Sequence, residues 1–192
     1  YGILLPSGAE CSITLANYVA GSEEAFAQLM NEKAQELNMN HTHFVNSTGL
    51  HDDAQMTTLE DLAYLVRYAL KNETFKQIFT SSEYLSQPTQ SHPQGLFMRS
   101  TINRIIIEKE NRVDFLGGKT GYTGEAGQCM ASFAEVDGNE YLLITAKADG
   151  AAVSMPYHMI DAESIYEQIG IYKAYYEDMH VDEKPVSSLH EK

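Results

Sequence analysis

Residues 128–136 and 140–148 are two β-type runs joined by Asp137-Gly138-Asn139, and an Asp-Gly turn between such runs is a strong hairpin signal. It commits the second half of the chain to antiparallel sheet. Upstream the hydrophobic period is different. Residues 9–20 place Cys11, Leu15, Tyr18 and Val19 at helical spacing and stop at Gly21, a good residue just past a helix end. Ser22 is positioned to cap a second helix with Glu23 and Glu24 in its first turn and a buried stripe of Phe26, Leu29, Met30 and Leu37. Thr58-Leu-Glu-Asp61 has the form of a capping box, and Leu59, Leu62, Ala63, Val66 and Leu70 repeat as one helical face. Residues 81–95, rich in Ser, Gln and Pro, mark a surface loop or short irregular strands. A last helix carries Met159, Ile160, Ile165, Ile169, Tyr172 and Tyr176 on its apolar face. Helices first, sheet later and a closing helix make an α+β arrangement.

The 192 residues suffice for one domain with a real core, and 43% hydrophobic with 21% charged residues places the chain among globular proteins. Its net charge of −14 repels nucleic acid and anionic membrane, so neither is an expected partner, and an anionic ligand would need local cations. No apolar run reaches the roughly 18 residues that span a bilayer. Tyr1-Gly-Ile-Leu-Leu-Pro6 is apolar but lacks the basic start and the length of a signal peptide. Cys11 and Cys129 are too few and too far apart for a zinc knuckle or redox pair, and are expected as free core thiols.

The stretch "FLGGKTGYTGEAGQ", residues 115–128, gathers a lysine, hydroxyls and glycines. It is not a phosphate-binding loop, because the first glycine of G-x-x-x-x-G-K-[ST] is absent and Gly121, Gly124 and Gly127 would each cost a following helix roughly 1 kcal/mol. Lying just before the hairpin, Phe115 to Gly121 belongs on a sheet strand. There a Lys-Thr-Gly triplet has a definite use: ammonium and hydroxyl hold a carboxylate, and the glycine clears the strand edge for a substrate backbone. The plainer reading leaves the glycines as turn residues and Lys119 as a solvated charge.

Three segments in this order, Ser7-Gly8 opening the first helix, "HFVNSTGL" at 43–50 running into "TTLEDLAYL" at 57–65, and "KTGYTGEAG" at 119–127, resemble the low-molecular-weight penicillin-binding proteins, the serine-type D-alanyl-D-alanine carboxypeptidases. The resemblance covers residues 1 to about 177. It implies a penicillin-binding-protein/β-lactamase-like α+β fold: a mainly helical lobe over 1–110, a sheet with a packed C-terminal helix over 111–178, an acidic tail over 179–192, and an N-terminal part lying outside these residues.

The activity it implies is removal of the terminal D-Ala of peptidoglycan stem peptides through an acyl-enzyme, with β-lactams as further ligands and no cofactor. In such enzymes S-x-x-K, S-x-N and K-T-G share the chemistry. Ser7 matches the serine of S-x-N, a proton relay; Lys119 and Thr120 match K-T-G, which orients the substrate carboxylate. Gly121, Tyr122 and Thr123 continue the substrate-binding strand, and the Tyr122 N–H falls where one oxyanion donor belongs, a contact typically worth roughly 3 kcal/mol. Arg104 resembles a family basic residue near the carboxylate, with an exposed surface arginine as the alternative.

Two positions depart from the pattern. Ala9 stands where S-x-N has Asn, removing an amide whose loss costs roughly 1 to 3 kcal/mol when buried. No lysine has Ser or Thr three residues before it, so S-x-x-K, and with it the nucleophile and base, is absent. Together with the abrupt start at Tyr1, this leads to the expectation of a fragment of a larger carboxypeptidase acting outside the cytoplasmic membrane, its export signal and any anchor in flanking segments, and some apolar surface left uncovered. Two rivals stand beside it. A zinc hydrolase could draw on His41, His43, His51, Asp52 and Asp53, but H-E-x-x-H is missing and no metal is expected. A binding module could use Ser7, Lys119 and Thr120 to hold D-Ala-D-Ala ends without cleaving them.

Overall fold

The computed structural model describes residues 1–102, 113–151 and 155–179. Four helices come first: α1 (Ala9–Ala20), α2 (Glu23–Glu36), α3 (Leu59–Ala69) and α4 (Glu73–Phe79). A small antiparallel pair, β1 (Glu83–Leu85) and β2 (Phe97–Arg99), follows. The main sheet is β3 (Val113–Thr123), β4 (Gly127–Val136) and β5 (Asn139–Ala148) in that spatial order, all antiparallel, closed by α5 (Tyr157–Met179).

Local chemistry sets the element ends. Gly21 stops α1 in the left-handed region at φ 85°, its N–H returning to Asn17 O. The Ser22 and Thr58 side chains accept from Ala25 N and Asp61 N and open α2 and α3. The Thr58 cap is not a reciprocal box, however: the Asp61 carboxylate is buried and instead accepts from His41 N at 2.9 Å and Thr42 Oγ1 at 2.7 Å, tying the loop before α3 to the helix. Asp137 and Gly138, at φ 49° and 75°, form the turn whose twist matches the flanking strands.

The core lies between the sheet and α5. Met130, Ala134 and Val136 of β4 meet Met159, Ala162 and Tyr166 of α5, with Ile102 and Val113 in the same cluster. Tyr166 is fully buried; its ring meets Phe115 edge-on at 5.6 Å and its hydroxyl lies 2.9 Å from Ser132 Oγ. Burial pushes its phenol up to about 12, against the opposing effect of that hydrogen bond. The inward face of α5 is therefore Met159, Ala162, Tyr166 and Ile169, whereas Ile160, Ile165 and Tyr172 are exposed, contrary to the periodicity reading. Tyr176 falls outside the described side chains.

The apolar stripe expected on α1 is also outward: Leu15, Tyr18 and Val19 are exposed and only Ala16 is buried. On α2 the buried residues are Ala27 and Ala34, with Leu29 exposed. Small residues sit at these helix contacts because close approach, rather than side-chain bulk, fills the space. Cys11 and Cys129 are free thiols, as expected, but half-buried rather than core.

Candidate active-site groove

A β-bulge in β3 decides where the Lys-Thr-Gly triplet points. Val113 pairs with Val136 and Phe115 with Ala134, on the side packed against α5; the register then shifts between Phe115 and Gly117. Beyond the shift Gly117, Lys119 and Gly121 pair with Phe133, Ala131 and Cys129, on the opposite side of the sheet. Were Leu116 an ordinary paired residue, strict alternation would carry Lys119 to the same side as Val113 and into the apolar core. The bulge turns it toward the helices instead.

There Lys119 meets Ser7. Its Nζ donates to Ser7 Oγ and to the Thr120 carbonyl. The ammonium is half-buried, and desolvation holds its pKa below the ordinary lysine value. Ser7 is exposed and sits at φ 61°, an unusual backbone state for a residue other than glycine. The segment on either side fixes it: Leu5 is buried and accepts at its carbonyl from Thr101 N at 3.2 Å, while Gly8 N donates to Gly2 O at 2.9 Å. Ala9 follows at the first turn of α1.

Thr120 turns to the other side of the strand and donates to Thr101 Oγ1 at 2.7 Å. The sequence holds no local signal for Thr101, which the fold alone brings to Thr120. Gly121 and Tyr122 are exposed, and Thr123 Oγ1 accepts from Ala126 N at 3.0 Å to shape the hairpin tip. Arg104 lies outside the described residues. Among those residues no strand pairs with the outer edge of β3.

The two glycines before Lys119 are strand rather than turn residues. A Cβ on Gly117 would press on the Phe79 carbonyl and lie 2.7 Å from Thr80 Cα, so its absence lets the end of α4 pack on β3. At Gly121 a Cβ would reach only Cys129 Cβ at 3.9 Å, leaving open space beside the strand. The F-x-N-x-x-G-L segment shares a cavity with Thr123 and Ala126 at the hairpin end of the strand. Asn46 Oδ1 accepts from Thr48 N at 3.2 Å and Gly49 N at 2.8 Å, while its Nδ2 donates to Leu50 O at 2.9 Å, which explains the Asn–Gly spacing. Asn31 brackets Phe44 with two bonds of 2.7 Å, and Glu23 accepts from Ser47 N and Oγ.

The imidazole segments needed by a zinc site serve the fold. His41 N is held by Asp61, His43 exchanges backbone bonds with Met56, and His51 Nε2 lies 3.2 Å from Asp53 Oδ1. Among the described residues no three or more His, Cys, Asp or Glu side chains are grouped to hold a metal ion.

An α+β fold that sets a Lys-Thr-Gly strand edge against a serine at the mouth of a helix defines the DD-transpeptidase and penicillin-binding-protein class, and solved structures agree. A mutant of a Streptomyces DD-transpeptidase superposes with a TM-score of 0.75 at 25% identity, covering 90% of this chain and 66% of that one. The cefotaxime-bound form of a Listeria monocytogenes penicillin-binding protein gives 0.68 at 25% identity, covering 88% and 64%.

The sequence profile of the D-alanyl-D-alanine carboxypeptidase family matches residues 1–150, and the chain belongs to that family. The carboxypeptidase DacF of Bacillus subtilis is 34% identical over 179 residues, 90% of this chain and 43% of its own length. DacD of Escherichia coli is 33% identical over 153 residues, 78% of this chain and 36% of its own. The chain thus spans less than half the length of these curated relatives.

Proposed function

We propose that these residues form the carboxylate-anchoring groove of a serine-type D-alanyl-D-alanine carboxypeptidase that removes the terminal D-Ala of peptidoglycan stem peptides. The observation that carries this reading is the contact between Lys119 Nζ and Ser7 Oγ, made across 112 residues of sequence. The substrate's terminal carboxylate meets the Lys119 ammonium. The Thr120 hydroxyl, held 2.7 Å from Thr101 Oγ1, is the second group of the triplet offered to that anion. The substrate backbone lies along the open edge at Gly121, and the Tyr122 N–H faces the scissile carbonyl as an oxyanion donor.

Ser7, bonded to Lys119, relays the proton that leaves with the departing D-Ala. The nucleophile that forms the acyl-enzyme and its lysine base lie outside these residues, since no lysine here follows Ser or Thr at the required spacing. β-Lactams, whose carboxylate and strained carbonyl mimic the same groups, occupy the same edge. The substrate class places the reaction outside the cytoplasmic membrane. No helix among the described residues is long and apolar enough to cross a membrane.

A second reading is favoured by one pair of facts: the anchoring groups are together, while S-x-x-K and the Asn replaced by Ala9 are absent. On that reading the chain binds D-Ala-D-Ala ends without cleaving them. Intact-mass measurement after incubation with a penicillin separates the possibilities. The proposal expects no adduct on the 192-residue chain and a stoichiometric one when the preceding sequence is included. An adduct on the 192 residues themselves would make Ser7 the nucleophile and overturn the assignment, and none on the longer chain would leave the binding module.

A further inference from the structure

A closed circuit of contacts runs through the groove and returns to Ser7 by way of a residue outside the Lys-Thr-Gly triplet. Lys119 Nζ donates to Ser7 Oγ, and the neighbouring Thr120 donates from Oγ1 to Thr101 Oγ1 at 2.7 Å. Thr101 N in turn donates to Leu5 O at 3.2 Å, and Pro6, with its fixed φ, leads from Leu5 back to Ser7. The circuit is anchored where it leaves the groove. Leu5, Ser100 and Ile102 are buried, and Ser100 N donates to Ser82 O at 2.8 Å, so the backbone on both sides of Thr101 is held. The Thr101 side chain is half-buried, standing at the wall of a cavity of about 310 Å³ with Pro6, Phe97 and Arg99 rather than in the core. Its hydroxyl has little packing duty; what it does is hold Thr120.

A threonine hydroxyl can take more than one staggered position about χ1, and a bond to a fixed partner selects among them. We infer that Thr101 is a positioning residue of the groove: it sets the Thr120 hydroxyl for the substrate carboxylate and, through Leu5, ties the place of that hydroxyl to the place of Ser7. In the structure the Thr120 proton is directed at Thr101. When a carboxylate arrives the two hydroxyls turn. Thr120 donates to the anion, and Thr101 donates to the Thr120 oxygen, so no proton changes owner and both oxygens keep a partner. A hydroxyl that accepts while it donates is polarised, and binds an anion more strongly than the same hydroxyl alone. This inference rests on the carboxylate anchoring proposed above, and adds to it a residue that acts without touching the substrate.

The test is a chemical-shift titration of the 192-residue chain with N-acetyl-L-Ala-D-Ala-D-Ala and with its C-terminal amide, the ratio of affinities reading recognition of the carboxylate. The wild type is expected to favour the acid. Thr101→Val, of the same shape without the hydroxyl, is expected to lower that preference about 3- to 10-fold, the worth of one hydrogen bond, with the amide binding as before. Thr101→Ser is expected to restore it. Because Thr101 acts through Thr120, adding Thr101→Val to Thr120→Val is expected to change the ratio no further. A preference untouched by Thr101→Val, or lowered as much in the Thr120→Val background, would overturn the positioning role; so would equal weakening of acid and amide, the mark of a structural residue. Thr101→Ala gives the same reading should the valine variant not fold. Lys119→Ala separates this role from the reading beneath it: an acid preference that Lys119→Ala abolishes retains the carboxylate anchor whatever Thr101 does, and equal binding of acid and amide by the wild type removes anchor and positioning together.

Discussion

Lys119 Nζ on an edge strand is hydrogen-bonded to Ser7 Oγ at the entrance to the first helix, and burial holds that ammonium below the usual lysine pKa. Lysine binds a carboxylate only while protonated. Affinity for D-Ala-D-Ala peptides is therefore expected to be full at neutral pH and to fall as pH rises, with a midpoint below the ordinary value of 10.5. Lys119→Arg is expected to move the loss beyond the accessible range. Lys119→Ala is expected to weaken binding about 10- to 150-fold, the loss of one charge-assisted hydrogen bond. Titrations across pH 7 to 10 on the three proteins check both statements.

Gly117 and Gly121 are two residues from Lys119 on either side, and substitution is expected to separate folding from binding. Gly117→Ala forces a methyl against the backbone of Phe79 and Thr80 and is expected to destabilise by roughly 1 to 3 kcal/mol, as overpacking does. Gly121→Ala meets no such obstacle and is expected to leave the thermal midpoint nearly unchanged while weakening peptide binding along the edge. Denaturant melts and peptide titrations on the pair distinguish these outcomes.

His158 is buried at the start of α5, with Nδ1 2.6 Å from Gln128 Oε1, and desolvation lowers its pKa against the opposing pull of Asp161. Gln128 Nε2 in turn donates to Ala151 O and Met155 O, both at 3.0 Å, holding the β5–α5 connection to the sheet. A group whose folded pKa is depressed contributes stability that is present above its unfolded value, near 6.5, and is lost as pH falls toward and through the folded one. Thermal midpoints are expected to drop below pH 6.5. His158→Asn, which can donate from a similar position without titrating, is expected to flatten that part of the profile relative to wild type.

Asp61 is a structural carboxylate. Asp61→Ala leaves His41 N without its acceptor and the Thr42 hydroxyl with Thr57 Oγ1 at 2.9 Å, and is expected to cost roughly 0.5 to 1.5 kcal/mol per hydrogen bond lost. Chemical denaturation measures it. A loss confined to peptide binding, with stability unchanged, would instead place Asp61 in the groove.

Features with a local cause were legible in the sequence. Ser22 and Thr58 cap helices through their own side chains, Gly21 ends one through its freedom at positive φ, and Asp137-Gly138 turns a hairpin. The Lys-Thr-Gly strand was legible because its chemistry is packed into consecutive positions. What failed was burial, which depends on partners distant in sequence. Leu15, Tyr18 and Val19 repeat at helical spacing yet face outward, and Tyr166, polar-tipped and unremarked, fills the core because Ser132 lies opposite its hydroxyl. The short helix α4 carries too little periodicity to be read, its Asn72 cap opening only 7 residues. Thr101 and the bulge at Leu116 were invisible for the same reason: a hydroxyl's partner across 19 residues and a shift of register are properties of the assembled sheet.

The open edge of β3 has a second consequence. Among the described residues its backbone groups have no strand partner and are open to a strand from another molecule, so concentrated protein is expected to associate strand to strand. On the proposed function occupancy and solubility are coupled: a short D-Ala-D-Ala peptide filling the edge is expected to protect the protein from itself.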